Sequence, residues 1–330
     1  MSTSQSLTES SIQGRASKPR VGVSACLLGR KVRFDGGHKQ NQLILNSFAE
    51  YLDLKSVCPE VEAGFSTPRP AMQLRKQDAQ IRLVVNKAPY QDLTDRMNEY
   101  AACRIATLAD LDGFIFKKDS PSCGVFRVPV VINREGYKKR DASGLFAAAF
   151  MQRFPLVPVE EEGRLNDHAL RENFFERVYA YQRWKAIPHA ATSVPGLIEF
   201  HARHKLMLMA RGSSYYQELG RMVANTTRAN LEERRAAYIH RFMQVMAIRS
   251  LPARQVNVLQ HIMGYLKNLI STEDKQELLA IFDAYRNREL PLITPITLLR
   301  HHLRVHPQPY INQQYYLDPC PRQLALRSVL

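Results

Sequence analysis

Short apolar runs alternate with amphipathic segments from residue 20 to about 159, and from about residue 188 the strand-type runs disappear. Strand signals fall at 20–25, 55–58, 81–86, 113–117 and 156–159. Helical periodicity marks 40–53, 92–111 and 143–154; in the second of these Met97, Ala101, Ile105 and Leu108 share one face. Alternation of this kind implies an α/β domain with a mainly parallel sheet. A long amphipathic stretch, 165–185, holds the single tryptophan, Trp184, and is followed by helical runs at 195–211, 215–224, 231–249, 252–270, 273–286 and 295–306. The expected organisation is a Ser/Thr/Gln-rich disordered tail over 1–19, an α/β domain over 20–159, a linking helix over 160–187 and an all-α domain over 188–330.

Three cysteines stand in tight turn settings: Cys26 in SACLLG, Cys58 in VCPE and Cys123 in SPSCG. Each follows a strand signal and is flanked by Gly, Pro or a charged residue that ends it. Ligands of open α/β sheets collect at the carboxyl ends of strands, so the three thiols are expected on one rim. Soft thiolates suit zinc, copper(I) or iron–sulfur centres. The paired Cys-x-x-Cys spacing of structural zinc is absent. His38 and Cys103 are poor fourth ligands; Cys103 reads as a small packed residue inside a helix, and Cys320, in DPCP, as structural. Five cysteines, an odd number, argue against a disulfide framework. Three thiolates on a 4Fe–4S cluster would leave one iron without a protein ligand, a vacancy suited to catalysis.

The segments SACLLGRKVRFDGGHK, CPEVEAGFSTPRPAMQL and KKDSPSCG resemble the signature segments of the TudS family of iron–sulfur thiouracil desulfidases. FHARHKLMLMA, LGRMVA and PITLLRHHLRVHPQPYINQQYYLDPCP resemble the YbgA-type helical domain. The fused order is similar to RudS-type proteins, which take sulfur from 4-thiouridine in tRNA. The resemblance implies a 4Fe–4S cluster on Cys26, Cys58 and Cys123, a functional carboxylate at Glu60 that accepts a proton and a catalytic serine at Ser120, with Ser122 second. It implies hydrolysis of C=S to C=O. Lys117 and Lys118 are then candidates for phosphate, and Arg69 for phosphate or a pyrimidine edge.

The net charge is +15; residues 1–160 carry 23 basic and 16 acidic side chains, and residues 161–330 carry 23 and 15. A field spread over both halves attracts polyanions. A free thiouracil does not require it, whereas tRNA profits from it. In the helical half Arg203 and Lys205 lead a series of basic residues interleaved with aromatics, among them His201, His204, Arg211 and Arg241, as RNA surfaces do. The expected partner is tRNA; free thiouracil or a thiopyrimidine nucleoside is the alternative substrate, and a non-catalytic iron–sulfur sensor of nucleic acid is a reading of another class. No apolar run approaches the ~18 residues of a membrane span. The opening Met1-Ser2-Thr3-Ser4-Gln5 lacks a secretory pattern, so a cytoplasmic location is expected.

Overall fold

The computed structural model describes residues 18–78, 80–133, 135–186 and 193–329. The tail expected over 1–19 lies almost wholly outside the described residues. A first sheet comprises β1 (Arg20–Ser24), β2 (Asp53–Val57), β5 (Gly113–Phe116) and β8 (Val159–Glu161) in the order β2-β1-β5-β8, every pair parallel. The expected strand at 156–159 begins instead at Val159, because Pro155 and Pro158 have no N–H to give a ladder. A second sheet, β4-β3-β6-β7, is formed by β3 (Met72–Gln77), β4 (Gln80–Val85), β6 (Val128–Val131) and β7 (Lys138–Ala142). Here β3/β4 and β6/β7 are antiparallel, and only β3/β6 is parallel. The strand read at 81–86 therefore belongs to a hairpin and not to the parallel layer.

The parallel sheet is buried on both faces by the period-two alternation of its strands. On one face Phe114 and Phe116 stack at 3.8 Å and meet α2 (Thr94–Ala106) and α3 (Leu145–Arg153) through Ala101, Phe146 and Phe150. On the other, Val21, Val23 and Ile115 meet Phe174, Phe175 and Val178 of α4 (His168–Ala186). Each such side chain contributes about 1.5–3 kcal/mol on burial. The helix read at 40–53 shrinks to a wide single turn over Ile44–Phe48, opened by Asn41 Oδ1 accepting from the Ile44 N–H at 3.1 Å.

From residue 193 on, the described chain is helical: α5 (Val194–Met209), α6 (Ser213–Ala224), α7 (Leu231–Met246), α8 (Pro252–Leu266), α9 (Thr272–Arg286) and α10 (Ile293–Val305) surround a core with Phe200, Tyr238, Phe242, Leu259 and Leu299. Ala180 and Trp184 of α4 belong to this core, with Trp184 edge-on to Phe200 at 5.0 Å. One helix thus supplies both cores. Among the described residues no helix is long and apolar enough to cross a membrane.

Candidate active site

β1, β2 and β5 run parallel, so their carboxyl ends share one edge, and the chain leaves β1 towards β2 on one side and later enters β5 on the other. That reversal opens a crevice. A cavity of about 340 Å³ fills it, lined by Cys26, Cys58 and Cys123 together with Glu60, Arg69, Lys117, Lys118 and Ser120.

The thiols arrive by three local devices. After Ser24 the chain turns into the short 3-10 helix Ala25–Leu28, which carries Cys26 and closes at Gly29 with φ +84, a backbone glycine adopts without a Cβ penalty. The Lys39 N–H donates to the Cys26 carbonyl at 3.0 Å and folds the intervening loop back over the site. Cys58 is extended and caps the single-turn helix α1 (Pro59–Glu62), with its N–H donating to Glu62 Oε1 at 2.8 Å. Cys123 sits in a turn whose N–H groups at Ser122 and Cys123 donate to Ser120 Oγ at 3.2 and 3.0 Å. The first turn of α3 needs carbonyl acceptors and takes them from this loop, Leu145 N–H from Pro121 and Ala147 N–H from Ser122, each at 3.1 Å. A Cβ at Gly144 would stand 2.5 Å from the Ser122 carbonyl carbon, so the docking needs a glycine there.

Burial governs the thiols. It pushes Cys26 up to about 11, against the pull of Lys117, and raises Cys58. It lifts Cys123 well above its usual range, with the Glu60 charge adding to the effect. Each of Cys26 and Cys123 also feels the Cys58 charge, so the sulfurs share one electrostatic neighbourhood. Among the described residues no three His, Cys, Asp or Glu side chains close on a single ion. Three spaced soft donors around one cavity fit a polynuclear metal centre better than one zinc, and its positive charge would offset the cost of burying thiolates.

Glu60 and Arg69 form a salt bridge with side chains 15% and 5% exposed. Arg69 also donates to the carbonyls of Val32 at 3.1 Å and Ser66 at 3.0 Å and to Thr67 Oγ1 at 3.1 Å. Arg69, the guanidinium expected to meet substrate, lines the cavity while bound to Glu60 and its own loop, and its Nε has no hydrogen-bond partner among the described residues. Glu60 Oε1 accepts from the Ser120 hydroxyl at 3.4 Å. Ser122 is wholly buried and does not line the cavity. Lys117 is paired with Glu162, whose other oxygen accepts from the Lys118 N–H at 2.7 Å; the exposed Lys118 side chain forms no salt bridge among the described residues and lines the cavity.

Arg203 and Lys205 lie in the helical half, away from the cavity lining. Arg203 pairs with Glu199 at 2.8 Å, and the Lys205 ammonium stands 5.2 and 5.6 Å from the Tyr216 and Tyr310 ring centres. His204 and Arg211 are 0% and 1% exposed, interior residues and not an RNA face; Arg241 pairs with Glu218 at 2.7 Å. Cys103 is exposed, contrary to the packed role expected, because it falls on the outer face of α2. Cys320 packs beside the core that holds Leu326, and His38 does not line the cavity.

Sequence reasoning passed over two residues. Ser24, 2% exposed, accepts from the Lys117 N–H at 2.9 Å, and its hydroxyl works against the rise at the Cys123 thiol. Glu162 closes a buried acidic triplet with Glu160 and Glu161, in which Glu161 accepts from the Val125 and Phe126 N–H groups at 2.8 and 3.0 Å. The linking helix expected over 160–187 takes in these three acids, and nothing local in the sequence marks them as buried.

Residues 21–162 match a family model described as 2-thiouracil desulfurase, and residues 205–321 match one described as a protein of unknown function, DUF1722. The uncharacterized protein YbgA of Escherichia coli (strain K12) is 28% identical over 152 residues, 46% of this chain and 90% of its own length. The uncharacterized protein YbbK of Bacillus subtilis (strain 168) is 32% identical over 108 residues, 31% of this chain and 71% of its own. Among solved structures, the 4Fe–4S-dependent thiouracil desulfidase TudS is similar at 28% identity and a TM-score of 0.37, covering 47% of this chain and 98% of that one.

Proposed function

Since the chain belongs to the 2-thiouracil desulfurase family through residues 21–162, with a DUF1722 region fused behind it, we propose that it removes sulfur from 4-thiouridine carried by tRNA. One water is consumed, C=S becomes C=O, and one hydrosulfide and one proton leave, with no net redox change. The tRNA reading is carried by the exposed members of the cavity lining, Lys39, Lys118 and the 40%-exposed Phe34. A ring that stacks on a base and cations that meet its flanking phosphates suit a base held on a polynucleotide.

In this reading Cys26, Cys58 and Cys123 hold a 4Fe–4S cluster. Bound there, such a cluster would supply a soft Lewis acid for the thiocarbonyl. Glu60 takes the proton of the attacking water. Arg69 fixes one carboxylate oxygen of Glu60. A hydroxyl has two lone pairs and one proton. Ser120 uses the lone pairs on the Ser122 and Cys123 N–H groups, so its proton points to Glu60 Oε1. Ser120 is thereby a positioning residue that ties the Cys123 turn to the base. The exposed Arg221 and Arg228 support an RNA-binding role for the helical region, 188–330. Five free cysteines support a reducing, cytoplasmic setting.

A second reading, a free thiopyrimidine as substrate, is favoured by the description of the matching family. Sulfide release and loss of thiouridine absorbance, followed anaerobically with thiolated tRNA beside free 4-thiouridine and 2-thiouracil, separate the two. Turnover fastest on tRNA is expected. Turnover of free bases with none on tRNA would replace the first reading by the second.

A further inference from the structure

Where α4 meets α8, α9 and the C-terminal segment lies a second cavity of about 290 Å³, lined by Arg211, Arg249, Arg288 and Arg327 with Glu172 and Glu176. The inner groups are ordered among themselves. Arg211 and Arg327 both donate to Glu176, the latter at 2.7 Å, and Arg327 reaches Glu172 at 2.9 Å. Arg211 is 1% exposed and its Nε has no acceptor. Arg249 and Arg288 are exposed and form no salt bridge among the described residues. Four guanidiniums against two carboxylates leave this cavity a formal charge of +2. Burial, with the Glu176 charge beside it, raises the Glu172 carboxyl.

An excess of two positive charges calls for a dianion, and a carboxylate would leave one charge unmet. Guanidinium forks match phosphate oxygens. The remaining walls include Pro252, Tyr285, Pro291 and Leu292, faces for a flat or apolar body. The volume lies at the lower end of small-ligand sites, about 300 Å³, which leaves room for a phosphate and one compact group. We propose that this cavity binds a phosphate monoester. That group is shared by a free nucleoside monophosphate and by the 5′ end of an RNA, and the site does not depend on the desulfidation reading.

Calorimetric titration of the full chain at fixed ionic strength tests it, with inorganic phosphate, uridine monophosphate, and 5′-phosphorylated beside 5′-hydroxyl oligouridylate as probes. Saturable binding of the monophosphate is expected if the source is a free nucleotide. Preference for the phosphorylated over the hydroxyl oligonucleotide is expected if the source is an RNA end. In either case the double variant Arg249→Ala, Arg288→Ala should bind about tenfold more weakly or worse, while Lys275→Ala, outside the lining, should not. Both arginines are exposed, and circular dichroism checks that the variants fold. No saturable binding by any probe, equal binding of the two oligonucleotides without binding of the monophosphate, or binding unchanged in the double variant would overturn the proposal.

Discussion

Arg69 stands between two prolines, and by residue type it suits a phosphate or a pyrimidine edge; in the fold it is the cation that holds Glu60. The pair is mostly withdrawn from water, so removing one partner leaves the other charge poorly solvated. Arg69→Met should destabilise the protein by about 3–5 kcal/mol, read as a shift of the urea midpoint, and should lower kcat more than KM. Arg69→Lys should restore part of the stability and little of the turnover, because an ammonium cannot reproduce the fork that spans Glu60, Val32 and Ser66. An unchanged midpoint in Arg69→Met would contradict this role. The cysteines were legible where Arg69 was not. Pro59, Pro121 and Gly29 announce turns at strand ends, whereas no local rule says that a guanidinium will fold back on an acid nine residues away. Ser24 was invisible for a related reason: one hydroxyl inside an apolar run has no signature until Lys117 and Cys123 are brought to it from the neighbouring strand.

The parallel sheet could be read from β1 and β5 because their residues are apolar on both faces. Of the second sheet only β4 could be read, as the strand at 81–86. β3 carries Arg75 and Lys76, β7 is four-fifths charged, and Pro129 interrupts β6. β3/β4 and β6/β7 are local hairpins, and the two are joined into one sheet only by the long-range pairing of β3 with β6. The six long helices of the C-terminal half were legible within a few residues, since 3.6-residue periodicity survives without tertiary context. Helix α5 adds a pH dependence. A histidine in an unfolded chain titrates near 6.5; burial, and secondarily the charge of Lys205, pulls His201 down to about 4. Between these values the unfolded chain takes a proton that the fold refuses, so stability falls as pH drops from about 6.5 to about 4 and is level above. The loss from His201 is about 3 kcal/mol at the acid end. His204, lowered further by complete burial, acts in the same direction. Urea midpoints measured from pH 4 to 7.5 should therefore rise with pH, and His201→Gln should flatten the rise. An equal slope in the variant would contradict the assignment.

At the scale of the whole molecule, α4 joins the two halves. It places Phe174, Phe175 and Val178 against the sheet and Ala180 and Trp184 in the helical core. The linker expected over 160–187 is thus a shared wall. The C-terminal segment returns to it as well, through Leu326 and through Arg327 on Glu172 and Glu176. This joint could not be read from the sequence, because an amphipathic helix does not state which of two cores its apolar residues will enter. In the proposed reading, the positive charge of both halves links a base-sized cavity to a base carried by RNA. The central claim is that the three strand-end cysteines together make the cavity a desulfidation site. Its most direct test is iron content and sulfide release measured side by side on thiolated tRNA, for anaerobically reconstituted wild type and for Cys26→Ser, Cys58→Ser and Cys123→Ser. The expected result is about four irons per chain and sulfide release in the wild type, with turnover abolished in each variant. Sulfide released at the wild-type rate by any one of the three variants would contradict the account.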